Sequence, residues 1–178
     1  MEVVIYGTLP VWIVGSGLDG ERYFSMQSIY VIGSLRNPEI PKIGNLLRSI
    51  GLDVFDDWYS AGERADDHWK EYEQSRGRTF KEALDGYACC HVFAFDEFHL
   101  NRVDAALLVL PAGKSGHLEL GYAIGRGKRG FIYTEPNSDP NGNVNPDSLR
   151  WDCMYRFAEQ VFFSKEETLE FFKNDSRV

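Results

Sequence analysis

The chain has 178 residues, 43% of them apolar and 26% charged, with a net charge of −8. That surplus of carboxylates argues against a nucleic-acid polymer as partner, because such binding rests on basic patches. No stretch reaches the roughly 18 consecutive apolar residues that a membrane-spanning helix needs. The three cysteines, Cys89, Cys90 and Cys153, show no metal-ligand spacing and read as reduced thiols of a cytoplasmic protein.

Taken in order, residues 1–28 read as an extension. Short strands are expected at 3–6 and 11–14, and the GSGLDG run that follows lacks the helix that a dinucleotide fingerprint requires. The segment has no basic start and carries Glu2, Pro10 and Asp19, so it does not read as a signal peptide. Met26 offers an alternative start, since the α/β pattern begins just after it.

Ile29-Tyr-Val-Ile32 reads as the first core strand, ending at Gly33-Ser34. Ile43, Leu46, Leu47 and Ile50 have helical spacing after Pro38 and Pro41, and Gly51 marks the helix end. Residues 52–55 form a second strand that runs into Asp56-Asp57-Trp58. Residues 59–90 are polar and helix-compatible, and read either as a helical insertion over the sheet edge or as an ordinary connection. Gly77 breaks it, and Thr79 with Glu82 forms a capping box for a helix whose apolar face is Phe80, Ala83, Leu84 and Tyr87. Helix is expected to continue over 92–100, closed by Asn101-Arg102.

Residues 104–110 are continuously apolar after Asp104, as a strand covered on both faces should be. Pro111 and Gly113 turn the chain. A helix is expected over 117–126, with Glu119 in its first turn and Gly127 as its stop. A strand at 130–133, a polar loop at 135–148, a helix within 151–163 and a last helix at 165–173, capped by Ser164 and Glu167, complete the chain. Strands alternating with helices predict one open α/β sandwich over the whole chain.

Open α/β sheets bind ligands at the carboxyl ends of their strands. Gly33-Ser34-Leu-Arg36, Asp56-Asp57-Trp58, Ser115-Gly116-His117 and Glu119 all fall there. Ser34, Arg36 and Ser115 compose a monophosphate cradle: a guanidinium fork, two hydroxyls and a helix N-terminus. Lys114-Ser115 lacks the glycine spacing of a triphosphate-binding loop. Two carboxylates, Asp96 and Glu119, suit glycosidic chemistry, one at the anomeric carbon and one carrying a proton for the leaving group. Tyr30 on the neighbouring strand can orient the attacking group.

Gly116-His-Leu-Glu119-Leu-Gly-Tyr-Ala123, following a strand that begins at an Asp, resembles the nucleoside 2-deoxyribosyltransferase family, which includes deoxynucleoside 5′-monophosphate N-glycosidases. The resemblance spans roughly residues 29–135 and extends to Tyr30 and to the Gly33-Ser34-Leu-Arg36 loop. It implies a flavodoxin-like (Rossmann-like) three-layer fold with a mainly parallel sheet. It implies Glu119 as the nucleophile that forms a 2-deoxyribosyl ester, Tyr30 as its positioner, and Asp96 as a sugar contact or aid to base departure. Gly33, Ser34, Arg36 and Ser115, with Gly116 and His117 beside them, then bind the 5′-phosphate end, while Asp56 and Trp58 approach the base. The implied substrate is a 2′-deoxynucleoside or its 5′-monophosphate, with no metal or organic cofactor and a homo-oligomeric assembly. The whole chain also resembles the deoxyribosyltransferase-like proteins of phages. Residues 59–90 are longer than the family's usual connection. Two alternatives remain: cleavage of an NAD-type nucleotide by a glutamate at the ribosyl carbon, and a non-catalytic nucleotide-binding module that keeps Ser34, Arg36 and Ser115 but needs neither Glu119 nor Asp96.

Overall fold

The structure, a computed structural model, describes residues 26–137, 145–149 and 151–175. The strands expected at 3–6 and 11–14 lie outside the described residues. Five strands form the sheet: β1 (Ser28–Ile32), β2 (Asp53–Phe55), β3 (Ala105–Val109), β4 (Arg129–Tyr133) and β5 (Gln160–Phe162). All pairings are parallel, in the order β2-β1-β3-β4-β5. That is the doubly wound order of flavodoxin-like folds, and the expected fold class holds.

Strand alternation sends the two sets of side chains to opposite layers. Ile29, Val31, Ala105, Leu107, Val109, Phe131 and Tyr133 share one core with α1 (Glu39–Arg48) and α6 (Lys165–Asp175). Tyr30, Ile32, Ala106, Leu108 and Ile132 share the other with α4 (Tyr87–Arg102) and α5 (Lys114–Gly125). Strand β3 is buried at every position, which explains its unbroken apolar run. Leu107, Leu108 and Val109, fully buried there, each contribute about 1.5–3 kcal/mol.

Polar ties fix the sheet's ends. Asp104 Oδ2 accepts hydrogen bonds from the Gln27 and Ser28 amides at 3.0 and 2.9 Å and from Ser28 Oγ at 2.8 Å, joining β1 to β3. Arg129 donates to Glu159 Oε2 at 2.8 Å and to Asp175 Oδ2 at 2.5 Å, tying β4 to the β5 lead-in and to α6.

Several local expectations need correction. Helix α1 starts at Glu39 rather than after Pro41, because a proline in the first turn gives up only an amide that has no intrahelical partner. Within 59–90 the chain forms a short 3₁₀ turn (Asp57–Ala61), α2 (Ala65–Ser75) and α3 (Phe80–Leu84). The Thr79–Glu82 capping box is present. The apolar face expected for α3 is not buried: Ala83 is, but Phe80 is 71% exposed, and Tyr87 belongs to the next helix and is 95% exposed. Helix α4 is one 16-residue helix that already begins at Tyr87. Helix α5 begins at Lys114, three residues early, so Ser115 and Gly116 are in its first turn and Glu119 is in its second.

The helix expected within 151–163 is absent. A 3₁₀ turn at Cys153–Phe157, capped by the Asp152 side chain on the Met154 amide, leads into β5. The apolar spacing that suggested a helix puts Met154 and Phe157 largely in solvent. Instead Gln160, Val161 and Phe162 pair with Phe131, Ile132 and Tyr133, which covers the edge that β4 would otherwise leave open. Ser164 accepts from the Glu167 amide, but the Glu167 carboxylate reaches back to the Phe163 amide rather than to Ser164.

Candidate functional site

The strand order reverses between β1 and β3, so the loops leaving these two strands diverge and open a crevice at their carboxyl ends. The loop after β1 is held by Asn37, which is buried. Its amide donates to the Ser34 carbonyl at 2.9 Å, and its Nδ2 donates to the carbonyls of Val109 and Pro111 at 3.4 and 3.3 Å. One side chain therefore clamps the Gly33–Arg36 loop to the end of β3. Sequence reading missed Asn37. The only signal was an asparagine before Pro38, which any turn would show.

Glu119 is placed by Gly116. A Cβ at position 116 would stand 3.1 Å from Leu108 Cδ1 and 3.2 Å from Ile32 Cγ2, so α5 lies close against the sheet and a side chain there would have to push these two neighbours aside. Leu120 and Ala123, on the same face as Gly116, are also buried. Glu119 lies on the flank of α5 that faces α4, where Tyr122 Oη donates to Glu97 and Asn101 at 3.2 and 3.1 Å. On α4, Asp96 accepts a hydrogen bond from Tyr30 Oη at 3.1 Å. Tyr30 is itself fully buried on β1.

Electrostatics links the three groups. Burial, then the charges of Asp96 and Asp66, push Glu119 up to about 7. Burial also raises Asp96 above the usual carboxylate range, opposed by the Tyr30 hydrogen bond and by His99. Burial and the neighbouring Asp96 and Glu119 charges drive the Tyr30 hydroxyl far above an ordinary phenol, so it stays a donor. Burial and the nearby Asp96 charge together leave the Glu119 carboxyl able to take up and release a proton near neutral pH.

An aromatic wall stands beside this pair. Phe55 stacks on His99 with centroids 3.7 Å apart and meets Tyr30 and Phe95 at 5.0 and 5.7 Å. Arg102 Nε donates to His99 Nδ1 at 2.9 Å, and burial with the Arg102 charge keeps this imidazole below its ordinary range.

Helix α2 supplies two residues that sequence reading did not single out. Asp66 raises both Glu119 and Asp96 through its charge. Asp67 Oδ2 accepts from Arg36 Nη2 at 2.7 Å. In the sequence they are two acids in the first turn of a polar helix, indistinguishable from ordinary N-terminal charges.

The remaining expected site residues are dispersed. Ser34 Oγ accepts the Arg36 amide at 3.2 Å, close to the guanidinium in the chain but engaged with its own loop. Gly33 lies against Ile40, and a Cβ there would collide with that side chain. Ser115 is exposed in the first turn of α5. The Asp56 carboxylate is nearly buried and gripped by both terminal nitrogens of Arg48, a contact that ties β2 to α1. Trp58 Nε1 donates to the Val31 carbonyl at 2.9 Å. The pairing of β1 with β2 ends at Tyr30–Phe55, so the indole takes over where β2 stops.

His117 faces the other flank of α5. Its Nδ1 lies 2.8 Å from the Gly113 carbonyl and its Nε2 lies 3.1 Å from Tyr155 Oη. With Leu120, Ile124, Ile132 and Phe157 it borders a cavity of about 350 Å³. The chain thus brings Tyr30, Asp96 and Glu119 together, sets Ser34 and Arg36 on the adjoining loop, and sends Asp56 and His117 elsewhere.

Among the described residues no cluster of three or more His, Cys, Asp or Glu is placed to hold a metal ion, and no helix is long and apolar enough to cross a membrane. No protein-family model matches the chain, and no curated protein matches it. Among solved structures, one match is a CMP N-glycosidase, BcmB, from Clostridium botulinum. It has a TM-score of 0.47 and 10% identity, over 82% of this chain and 97% of that one. The fold assignment stands on this chain's own strand order and register.

Proposed function

We propose that the chain cleaves or exchanges the N-glycosidic bond of 2′-deoxynucleosides or their 5′-monophosphates, with Glu119 as nucleophile. The observation that carries this reading is a pair of part-buried carboxylates at the crevice of a doubly wound sheet, Asp96 bonded to the buried Tyr30 and Glu119 raised by burial and by the Asp96 charge. Ionised Glu119 attacks C1′ through an oxocarbenium-like transition state as the bond to the base nitrogen breaks. The bonding pair leaves with the base, and Asp96 gives that nitrogen its proton. The resulting 2-deoxyribosyl ester on Glu119 is opened by water, or by a second base whose proton returns to Asp96. Tyr30 stays protonated and holds Asp96 in place.

Arg36, Ser34 and the free amides at the start of α5 are the groups for the 5′ end of the substrate. Phe95, 43% exposed and backed by the buried Phe55, offers the base an apolar surface. A homo-oligomer fits the same reading. No Asp, Glu, Lys or Arg occurs from Tyr87 to Phe95, and Tyr87, Val92, Phe93 and Phe98 on α4 and Leu118 on α5 lie in solvent. An aromatic, charge-poor surface of this kind has the composition of an interface core.

The test is a chromatographic screen of deoxynucleosides and their 5′-monophosphates, with and without an acceptor base, and of NAD. Base release from at least one deoxynucleoside or monophosphate is expected. Release of nicotinamide from NAD alone would move the substrate class, and binding without turnover would reduce the chain to a nucleotide-binding module.

A further inference from the structure

We propose that Asp67 sets the choice between phosphorylated and unphosphorylated substrate by holding Arg36, and that this chain accordingly favours free 2′-deoxynucleosides over their 5′-monophosphates. The inference rests on the reading above, in which Arg36 faces the 5′ end of the substrate.

Arg36 lies on the loop after β1, and Asp67 is the third residue of α2, 31 positions later. Their Nη2–Oδ2 distance of 2.7 Å is that of a charge-assisted hydrogen bond. The hydroxyl of Ser34 is turned to the Arg36 amide in the same loop. A 5′-phosphate must therefore take the guanidinium from a carboxylate already seated on it, and then remain beside that carboxylate. Asp66, on the same turn of α2, and the Asp96–Glu119 pair add negative charge around the crevice. A phosphate dianion meets all of these charges, whereas a neutral nucleoside meets none of them.

Arg36 and Asp67 are 53% and 47% exposed, so solvent screens the pair and its influence is modest, about tenfold rather than thousandfold. An acid in the first turn of α2 also favours the helix dipole. That role alone would make Asp67 matter to stability and not to substrate choice.

The decisive experiment measures kcat and KM for one base presented as the deoxynucleoside and as its 5′-monophosphate. The proteins are the natural chain, Asp67→Asn, Asp67→Glu and the double variant Arg36→Gln/Asp67→Asn. Asp67→Asn is expected to raise the monophosphate-to-nucleoside ratio of kcat/KM about tenfold, through KM for the monophosphate. Asp67→Glu should restore most of the natural ratio, and the Arg36→Gln background should erase the gain. An unchanged ratio, or an equal fall for both substrates, overturns the proposal. Calorimetric binding of 2-deoxyribose 5-phosphate to the same four proteins reads the claim without turnover. If no substrate is cleaved, the enzymatic reading fails, yet tighter binding to Asp67→Asn alone still supports the role of Asp67, and equal binding to all four overturns it.

Discussion

The two sides of the crevice differ in how firmly they are held. Tyr30 and Glu119 sit on β1 and α5, packed into the core, with a glycine contact setting the height of the helix above the sheet. Arg36, Asp66 and Asp67 sit on a loop and on the first turn of a helix whose other side chains are mostly in solvent, and a screened ion pair joins them. Chemistry that depends on sub-ångström placement belongs on the first side. Adjustment of charge and of substrate choice belongs on the second, where a substitution perturbs little packing.

That contrast orders the expected effects. Glu119→Gln should lower base release at least about a thousandfold, because it removes the attacking group. The same variant should gain stability. Glu119 is raised from 4.5 to about 7, so the folded state binds more protons than the unfolded one between those values, and stability falls as pH rises through that window. At about pH 8 the glutamine variant should be more stable than the natural protein by up to about 3 kcal/mol, with no gain near about pH 4, as read by denaturant titration. Activity and stability moving in opposite directions would mark a functional carboxylate. Parallel losses would mark a structural one.

Gly116→Val comes next. Its side chain meets Leu108 and Ile32 and lifts α5, which should cost about 1–3 kcal/mol in denaturant titrations and about a hundredfold in kcat/KM. Tyr30→Phe leaves Asp96 without its donor. A roughly tenfold fall in kcat and about 1 kcal/mol of stability are expected, with little change in KM. The smallest effect should come from the solvent side. Asp66→Asn removes the smallest of the influences that raise Glu119, so the pH at which Glu119 ionises, followed by carboxylate-resolved NMR, should fall slightly. A large loss of activity in that variant would show that α2 is part of the rigid framework after all.

How much of this was legible in the sequence varies with the kind of signal. Strands β1, β3 and β4 were, because full burial on both faces leaves long apolar runs that little else produces. The placement of Glu119 on the helix after β3 followed from the same pattern, although α5 proved three residues longer at its start. Strand β5 was not legible. Three residues at a sheet edge leave a weak pattern, and the apolar spacing of Met154, Phe157, Ala158 and Val161 imitated a helix. The pairing of Asp56 with Arg48 was also hidden, since it depends on how α1 turns back onto β2. Pattern alone could not place Asp96 beside Tyr30 either. They are 66 residues apart and meet only because α4 crosses the sheet near β1.

The covalent step tests the central claim most directly. The protein is mixed with a cleavable 2′-deoxynucleoside, quenched in acid within the first turnover and digested, and the peptides are weighed by mass spectrometry. The account predicts that the peptide containing Glu119 gains the mass of one 2-deoxyribosyl group, that the gain disappears on longer incubation with water or an acceptor base, and that Glu119→Gln shows none. Base release with no adduct on that peptide, or an adduct on any other carboxylate, would contradict it.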